Sequence, residues 1–299
     1  MTGPVPAIAG PTAAGKTAAG LELAERLGAE IVSADSRQIY RLLDIGTAKP
    51  TAAERNRVPH HLVDFLDPDR AYSAADYAAG ARAAMDELDA QGRRYLVVGG
   101  SGLYLRALIE GLAAIPPADH ALRQELAEFA ELHGKAALHQ RLAGIDPATA
   151  ARLQPNDTVR IVRALEVHAL TGKPISQWHA NERVTDHRRY RLVVLDVDRD
   201  ELYRRIDRRV DAMIEQGLVA EVRGILDRGH PPSLNSLRTV GYREVIAHIE
   251  GECDLDRAIE LIKRNTRNFA KRQLTWFRGM KNAEWVDDKH VERIFSKIV

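Results

Sequence analysis

The chain has 299 residues, 45% of them hydrophobic and 28% charged, with a formal net charge of +1. That length suits one large domain or one domain carrying a smaller one, and the near-neutral balance sets up no global field that selects a partner. The single cysteine, Cys253, excludes a disulfide framework and a zinc site of paired cysteines, and it fits a reducing, cytoplasmic setting.

The apolar run VPAIAG, ending at Gly10, predicts a first strand. KTAAGLELAERLG follows, with Leu23 and Leu27 on one helical face and Gly28 as a stop. AEIVSAD, ending at Asp35, predicts a second strand, RRYLVVGGSG (Arg93 to Gly102) a third and YRLVVLDVDR (Tyr190 to Arg199) a fourth. Strand, loop, helix, strand is the opening of a doubly wound α/β sheet. Between the third and fourth strands the texture changes at IPPAD (Ile115 to Asp119). HALRQELAEFAELHG, KAALHQRLAGI, PATAARL and DTVRIVRALEVHALTG read as helices, with no convincing strand among them. Further on, ELYRRIDRRVDAMIEQG places Leu202, Ile206, Val210 and Met213 on one face, and DRAIELIKRNTRNFAKRQLTWFRG is another helix. No basic-then-apolar leader opens the chain, and no run approaches the roughly 18 apolar residues of a membrane span.

GPTAAGKT spells Gly10, Pro11, Thr12, Ala13, Ala14, Gly15, Lys16 and Thr17, the pattern Gly-x4-Gly-Lys-[Ser/Thr]. The glycines let the backbone turn tightly and aim successive N–H groups inward, where the helix N-terminus adds to their pull on phosphate. Lys16 supplies a compact charge, and Thr17 a hydroxyl for Mg²⁺. With a strand before it and a helix after it, this motif predicts a P-loop NTPase-like parallel sheet flanked by helices over 1–114 and 189–299. An all-helical insertion is expected over 115–188. The third strand ends in Gly99, Gly100 and Ser101 rather than in the carboxylate that usually helps to place Mg²⁺. The loop therefore predicts phosphate strongly and triphosphate weakly, and a diphosphate suits it as well.

Asp35 ends the second strand, on the edge of an open α/β sheet where ligands bind. It can take a proton from a nucleophile there, or be a solvated turn aspartate or the N-cap of a helix opened by Ser36 and RQIY. Between Arg257 and Lys281 the sequence carries eight basic residues against one acidic residue, Glu260. Lys263, Arg267 and Lys271 stripe one helical face, and Trp276 and Phe277 are interleaved, a composition that suits an RNA backbone with stacking side chains. SLRTVGYRE and VRIVR add two more basic segments. Arg204, Arg205, Arg208 and Arg209 crowd one helix with only Asp207 among them, which reads either as ordinary solvated charge or as a cluster relieved by a nearby anion. His60 and His61 are adjacent, which is not metal-ligand spacing, and read as structural.

Taken together, GPTAAGKT, SADSRQIYRLLDIGTAKP, YSAADY, VVGGSGLYLRAL, PNDTVRIVRALEV, RTVGYRE and AKRQLTWFR resemble the tRNA dimethylallyltransferase (tRNA isopentenyltransferase) family. The likeness runs in order from residue 10 to 278. It implies transfer of a dimethylallyl group from dimethylallyl diphosphate to the N6 amine of the adenine beside the anticodon. By resemblance, Gly10 to Thr17 hold the diphosphate, with Mg²⁺ at Thr17. Asp35 takes the amine proton, and Ser36, Arg37 and Gln38 line the pocket of a base flipped out of its stack. Ser101 stands where the family often has threonine and keeps its hydroxyl. Arg209 neutralises the departing diphosphate. Arg123, Val159, Arg160, Ile161, Val162 and Arg163 match tRNA-contacting segments. So do Arg238, Thr239, Val240, Gly241, Tyr242 and Arg243. Lys271, Arg272, Gln273, Leu274, Thr275, Trp276, Phe277 and Arg278 form the last such segment. The lone cysteine leaves no zinc finger, as in bacterial-type members. A monomer with no membrane partner is expected. A small-molecule kinase on the same core, and a prenyltransferase of free adenine nucleotides, are the alternatives.

Overall fold

The computed structural model describes residues 3–180 and 183–288. The chain divides into two units, Met1–Ile109 with Asp186–Val299, and Glu110–Thr185. The first unit opens with β1 (Val5–Ala9), α1 (Lys16–Leu27), β2 (Ala29–Ser33), α2 (Ala52–Arg57), β3 (His60–His61), α3 (Ala74–Ala90), β4 (Arg94–Gly99) and α4 (Gly102–Ile109). The second holds β5 (Leu112–Ala113), α5 (His120–His133), α6 (Lys135–Ile145), α7 (Pro147–Ala150), α8 (Thr158–Thr171), α9 (Ile175–Ala180) and β6 (Arg183–Val184). The first then resumes with β7 (Tyr190–Asp196), α10 (Arg199–Glu215), α11 (Leu218–Asp227), α12 (Tyr242–Ile249), α13 (Leu255–Arg278) and β8 (Glu284–Asp287).

Six strands form one sheet in the order β3-β2-β4-β1-β7-β8, and every pairing is parallel. Both faces must be covered, because parallel strands need crossover helices. The strand sequences supply this by being apolar on alternate sides. Ile8, Ile31, Leu96 and Val193 face a core completed by Leu23, Leu202, Ile206 and Val210. Ala7, Val32, Val97 and Leu192 face the other, with Tyr77, Met85, Leu105 and Phe277. Capping boxes at Thr51–Glu54 and Ser73–Asp76 start α2 and α3, reciprocally satisfying backbone and side chain.

The four expected strands are present, with β3 and β8 added at the two edges. Neither edge strand announces itself: β3 has two residues, and β8 (EWVD) has a period too short to read. The second unit packs Leu126, Leu138, Leu142, Ile161 and Leu165 into its own core. It is not all-helical, as the texture of 115–188 suggested. β5 and β6 pair antiparallel, Leu112 opposite Val184. Among the described residues no helix is long and apolar enough to cross a membrane. The end of the expected core, 289–299, lies outside the described residues.

Candidate active site

β1 is buried throughout and ends at a loop that closes on α1. Gly15 caps that helix in the left-handed region (φ 87°), which a residue without Cβ reaches at no steric cost. No side chain caps the helix, and its first turn holds no acidic residue, so the N–H groups there stay open to an anion. The Lys16 ammonium donates to the Pro11 carbonyl at 2.7 Å. Thr12 N–H donates to Gln273 Oε1 at 2.8 Å.

The ends of β2 and β4 bring the next residues alongside. A Cβ on Gly99 would sit 2.1 Å from the Ala34 carbonyl oxygen, so only glycine allows the two strand ends to meet. Ser101 N–H donates to that carbonyl at 3.0 Å. The Ser101 hydroxyl accepts from Ser36 N–H at 2.8 Å and lies 3.1 Å from the Ser36 hydroxyl. Asp35 uses Oδ1 to accept from Arg37 N–H at 2.8 Å and Gln38 N–H at 3.3 Å. One oxygen of Asp35 thus caps a turn at the end of β2, and no helix opens at Ser36. Arg37 donates to the Asn235 carbonyl at 2.7 Å, and Gln38 Nε2 to Thr47 and Ala48 carbonyls at 3.1 and 3.0 Å.

Arg209 reaches the same place from α10. Burial first, and the Arg209 charge second, push Lys16 down to about 8 against the opposing pull of Asp35. Burial likewise lowers Arg209, again opposed by Asp35. Its neighbours on α10 are already engaged: Glu201 pairs with Arg204 at 2.9 Å and Arg205 at 2.8 Å, and stands 3.5 Å from Arg208. Glu201, outside the arginine run, is the counter-charge that the sequence reading overlooked. Among the described residues Arg209 makes no salt bridge. Two sheltered cations and one carboxylate thus converge beside the N-terminus of α1, an arrangement whose chemistry suits a multiply charged anion. A cavity of about 520 Å³ adjoins Arg209, bounded by Ala48, Lys49, Arg55, Asp64 and Met213. Among the described residues no cluster of three or more acidic, histidine or cysteine side chains is poised for a metal.

The basic segments divide into paired and exposed side chains. Lys263 and Arg267 are half-buried, whereas Lys271 is exposed. Lys263 pairs with Asp211 at 2.6 Å, Arg267 with Asp207 at 2.5 Å, and the Lys271 ammonium lies 5.9 Å from the Tyr203 ring centre. The same four-residue spacing on α10 answers that on α13, making a seam between helices. Gln273 and Phe277 are buried, and Leu274 and Trp276 half-buried. Arg264, Lys271, Arg272, Thr275 and Arg278 lie on the exposed face, with Arg272 over the Phe269 ring at 5.8 Å. Tyr242 is buried, its hydroxyl donating to Glu221 at 2.6 Å, while Arg243 pairs with Glu244 at 2.6 Å. Thr239 and Val240 are half-buried, Gly241 starts α12, and Arg238 is exposed. In the second unit, Ile161 is core and Val162 half-buried. Arg123 and Arg163 both grip the buried Glu166, at 2.8 and 2.5 Å. Burial raises Glu166, but these two guanidinium groups hold it below the usual range. Val159 (82% exposed) and Arg160 remain at the surface. His60 bonds the Val58 carbonyl and His61 pairs with Glu30, a structural role for both.

Two further residues shape the site. Glu221 accepts from Asp44, Ile45 and Gly46 N–H groups at 3.1, 2.7 and 3.2 Å, fixing the DIGTAKP loop. Gln273 bridges Thr12 N–H and the Gly100 carbonyl, the latter at 2.8 Å. Sequence carried a signal for it: Ala258, Ile262, Ala270, Gln273 and Phe277 form the buried stripe of α13. A polar residue on an apolar stripe must find buried partners.

Fold and site together define a phosphate-loop α/β protein with a second carboxylate-bearing loop on its ligand edge. The chain matches the family model described as IPP transferase over residues 38–280 and that described as isopentenyl transferase over residues 3–64. It is 52% identical over 282 residues to a tRNA dimethylallyltransferase of Geobacter metallireducens, covering 94% of this chain and 91% of that one. It is 48% identical over 278 residues to one of Thermotoga petrophila, covering 93% and 90%. The crystal structure of a full-length tRNA isopentenylpyrophosphate transferase from Bacillus halodurans superposes with a TM-score of 0.71 at 42% identity, covering 99% of this chain and 95% of that one. A eukaryotic dimethylallyltransferase captured acting on tRNA gives a TM-score of 0.80 at 26% identity, covering 97% and 75%. The chain belongs to the IPP transferase family.

Proposed function

We infer that this chain is a tRNA dimethylallyltransferase, which moves a dimethylallyl group from dimethylallyl diphosphate to N6 of the adenine 3′ of the anticodon and releases diphosphate. The observation that carries this reading is the convergence of Lys16, Arg209 and the loop N–H groups beside Asp35. An adenine amine is a weak nucleophile, so the allylic C–O bond must be made easy to break. Cations and N–H groups already fixed around the leaving oxygens act on the charge that grows there. As the N6–C1 bond forms, the N6 proton passes to Asp35, whose Oδ2 is not used by its turn. Ser36 and Ser101 flank this carboxylate and line the acceptor side, with Arg37 and Gln38.

Mg²⁺ is the cofactor this site suits. Such ions keep several waters and are commonly held by one or two protein oxygens plus the substrate's phosphates. The Thr17 hydroxyl at the start of α1 is the protein ligand proposed, and the ion would add positive charge at the diphosphate.

The exposed Arg264, Arg272, Thr275 and Arg278 of α13, with Arg238, are proposed to track the tRNA backbone. In the helical unit, Val159 and Arg160 are the exposed members of the segment assigned to tRNA. Incubation with labelled dimethylallyl diphosphate, Mg²⁺ and unmodified tRNA, followed by mass analysis of nucleosides, tests the reading. Dimethylallyl-adenosine in tRNA is expected. ATP turnover without RNA, or transfer to AMP in preference to tRNA, would sink it.

A further inference from the structure

One buried amide links the donor loop to the loop carrying Ser101. Gln273 lies on the inward stripe of α13 and is 8% exposed. Its Oε1 accepts from Thr12 N–H at 2.8 Å, and its Nε2 donates to the Gly100 carbonyl at 2.8 Å. Each end of the carboxamide is committed, so its orientation is determined by its two partners. The packing there is close. A Cβ on Gly100 would stand 2.8 Å from Gln273 Nε2, 3.4 Å from Lys16 Nζ and 3.5 Å from the Gly10 carbonyl oxygen. The bond to Thr12 also takes that N–H out of the loop's free set.

We propose that Gln273 is a positioning residue for the transfer reaction: it fixes the phosphate loop after β1 against the loop after β4. The inference rests on the transferase reading above. The first loop holds the leaving diphosphate. The second carries Ser101, whose hydroxyl orders Ser36 beside Asp35. Donor carbon and acceptor amine must meet within a few tenths of an ångström of a productive geometry, and small misplacements are costly to rate. Gln273 touches neither reactant in this scheme. It sets the distance between the two groups that do.

Two variants separate positioning from bulk packing. Gln273→Met keeps the length and removes both hydrogen bonds. It is expected to weaken inorganic diphosphate binding and raise the donor KM about tenfold. kcat should fall as well, while tRNA affinity stays within about twofold of wild type. Gln273→Glu keeps an acceptor for Thr12 N–H, but the ionised carboxyl cannot donate to the Gly100 carbonyl. Once protonated it does both, as the carboxamide does. Burial at this position raises that carboxyl above its ordinary range, so its diphosphate affinity relative to wild type should recover as pH falls from about 8 to about 5. The Lys16 ammonium, facing the same spot, favours the ionised carboxyl and places the recovery toward the acid end. A flat ratio across that range overturns the proposal, as does an unchanged donor KM or a parallel loss of donor and tRNA affinity in Gln273→Met. If Gln273→Met does not fold, the pH ratio of Gln273→Glu decides. Diphosphate binding by calorimetry needs no turnover, so a wild-type chain that fails to modify tRNA refutes the transferase reading separately.

Discussion

Donor binding by this protein should weaken with rising pH, and the midpoint is set by Lys16. Burial and the neighbouring Arg209 charge hold the free ammonium down at about 8. A bound diphosphate places negative charge against it and raises its pKa. The binding contribution of the ammonium is therefore fully present below pH 8 and is lost as pH climbs from there toward the higher, bound-state value. With a free-state pKa of about 8, roughly nine-tenths of Lys16 is protonated at pH 7 and roughly one-tenth at pH 9, so donor affinity should fall about tenfold between them. Calorimetric titration with an unreactive thio analogue of the donor, in buffers of different ionisation heats, measures both affinity and proton uptake. Near pH 8 about half a proton should be taken up per donor bound. Lys16→Arg replaces the titrating ammonium by a group charged throughout this range, so whatever affinity remains should be flat with pH. Wild-type affinity that is level from pH 7 to 9, or a pH dependence that survives in Lys16→Arg, would refute the reasoning.

Other expectations follow from the same geometry. Asp35→Asn retains an oxygen for the Arg37 and Gln38 N–H groups, so donor binding and melting temperature should hold while kcat falls about 10²- to 10⁴-fold in single-turnover transfer. Arg209→Gln removes a sheltered cation: kcat should drop about 10²-fold or more. The Lys16 midpoint seen by calorimetry should move upward, because the like charge that lowers it is gone. Gly99→Ala drives a methyl group to 2.1 Å from the Ala34 carbonyl oxygen and should cost about 3 kcal/mol or more by urea denaturation. Replacing Arg264 and Arg272 by alanine should weaken tRNA binding and reduce its salt slope by about one unit per residue. The Lys263 and Arg267 replacements should leave that slope nearly unchanged, because their charges face Asp211 and Asp207.

Much of the α/β core was legible because each of its four inner strands is an apolar run ended by glycine or aspartate, and because the phosphate loop names its own flanks. The positions of Lys16 and Asp35 were legible for a related reason, since each follows a strand, whereas Ser101 and Arg209 were singled out by the resemblance. What one sequence did not reveal is which side of a charged helix looks inward. Lys263, Arg267 and Lys271 have the spacing of an RNA-facing stripe, but that spacing is equally what a seam with Tyr203, Asp207 and Asp211 requires. Long-range polar pairs were out of reach as well. Glu221 lies 175 to 177 positions from the N–H groups it holds, and Gln273 lies 261 from Thr12. Nothing in local pattern marks such partners, although the polar break in the apolar stripe of α13 marks that a partner must exist.

The two-residue pairing of β5 with β6 has a bearing on ancestry and engineering. Leu112 and Val184 stand opposite each other on neighbouring backbones, so the polypeptide departs for its helical excursion and comes back through adjoining positions. Closing a loop is entropically unfavourable in proportion to how far its ends must be gathered, and it grows only slowly with the length in between. Here the gathering is done locally by the hairpin-like pair. A change of length in the excursion between them therefore adds little to the closure cost, as long as those two short strands stay zipped.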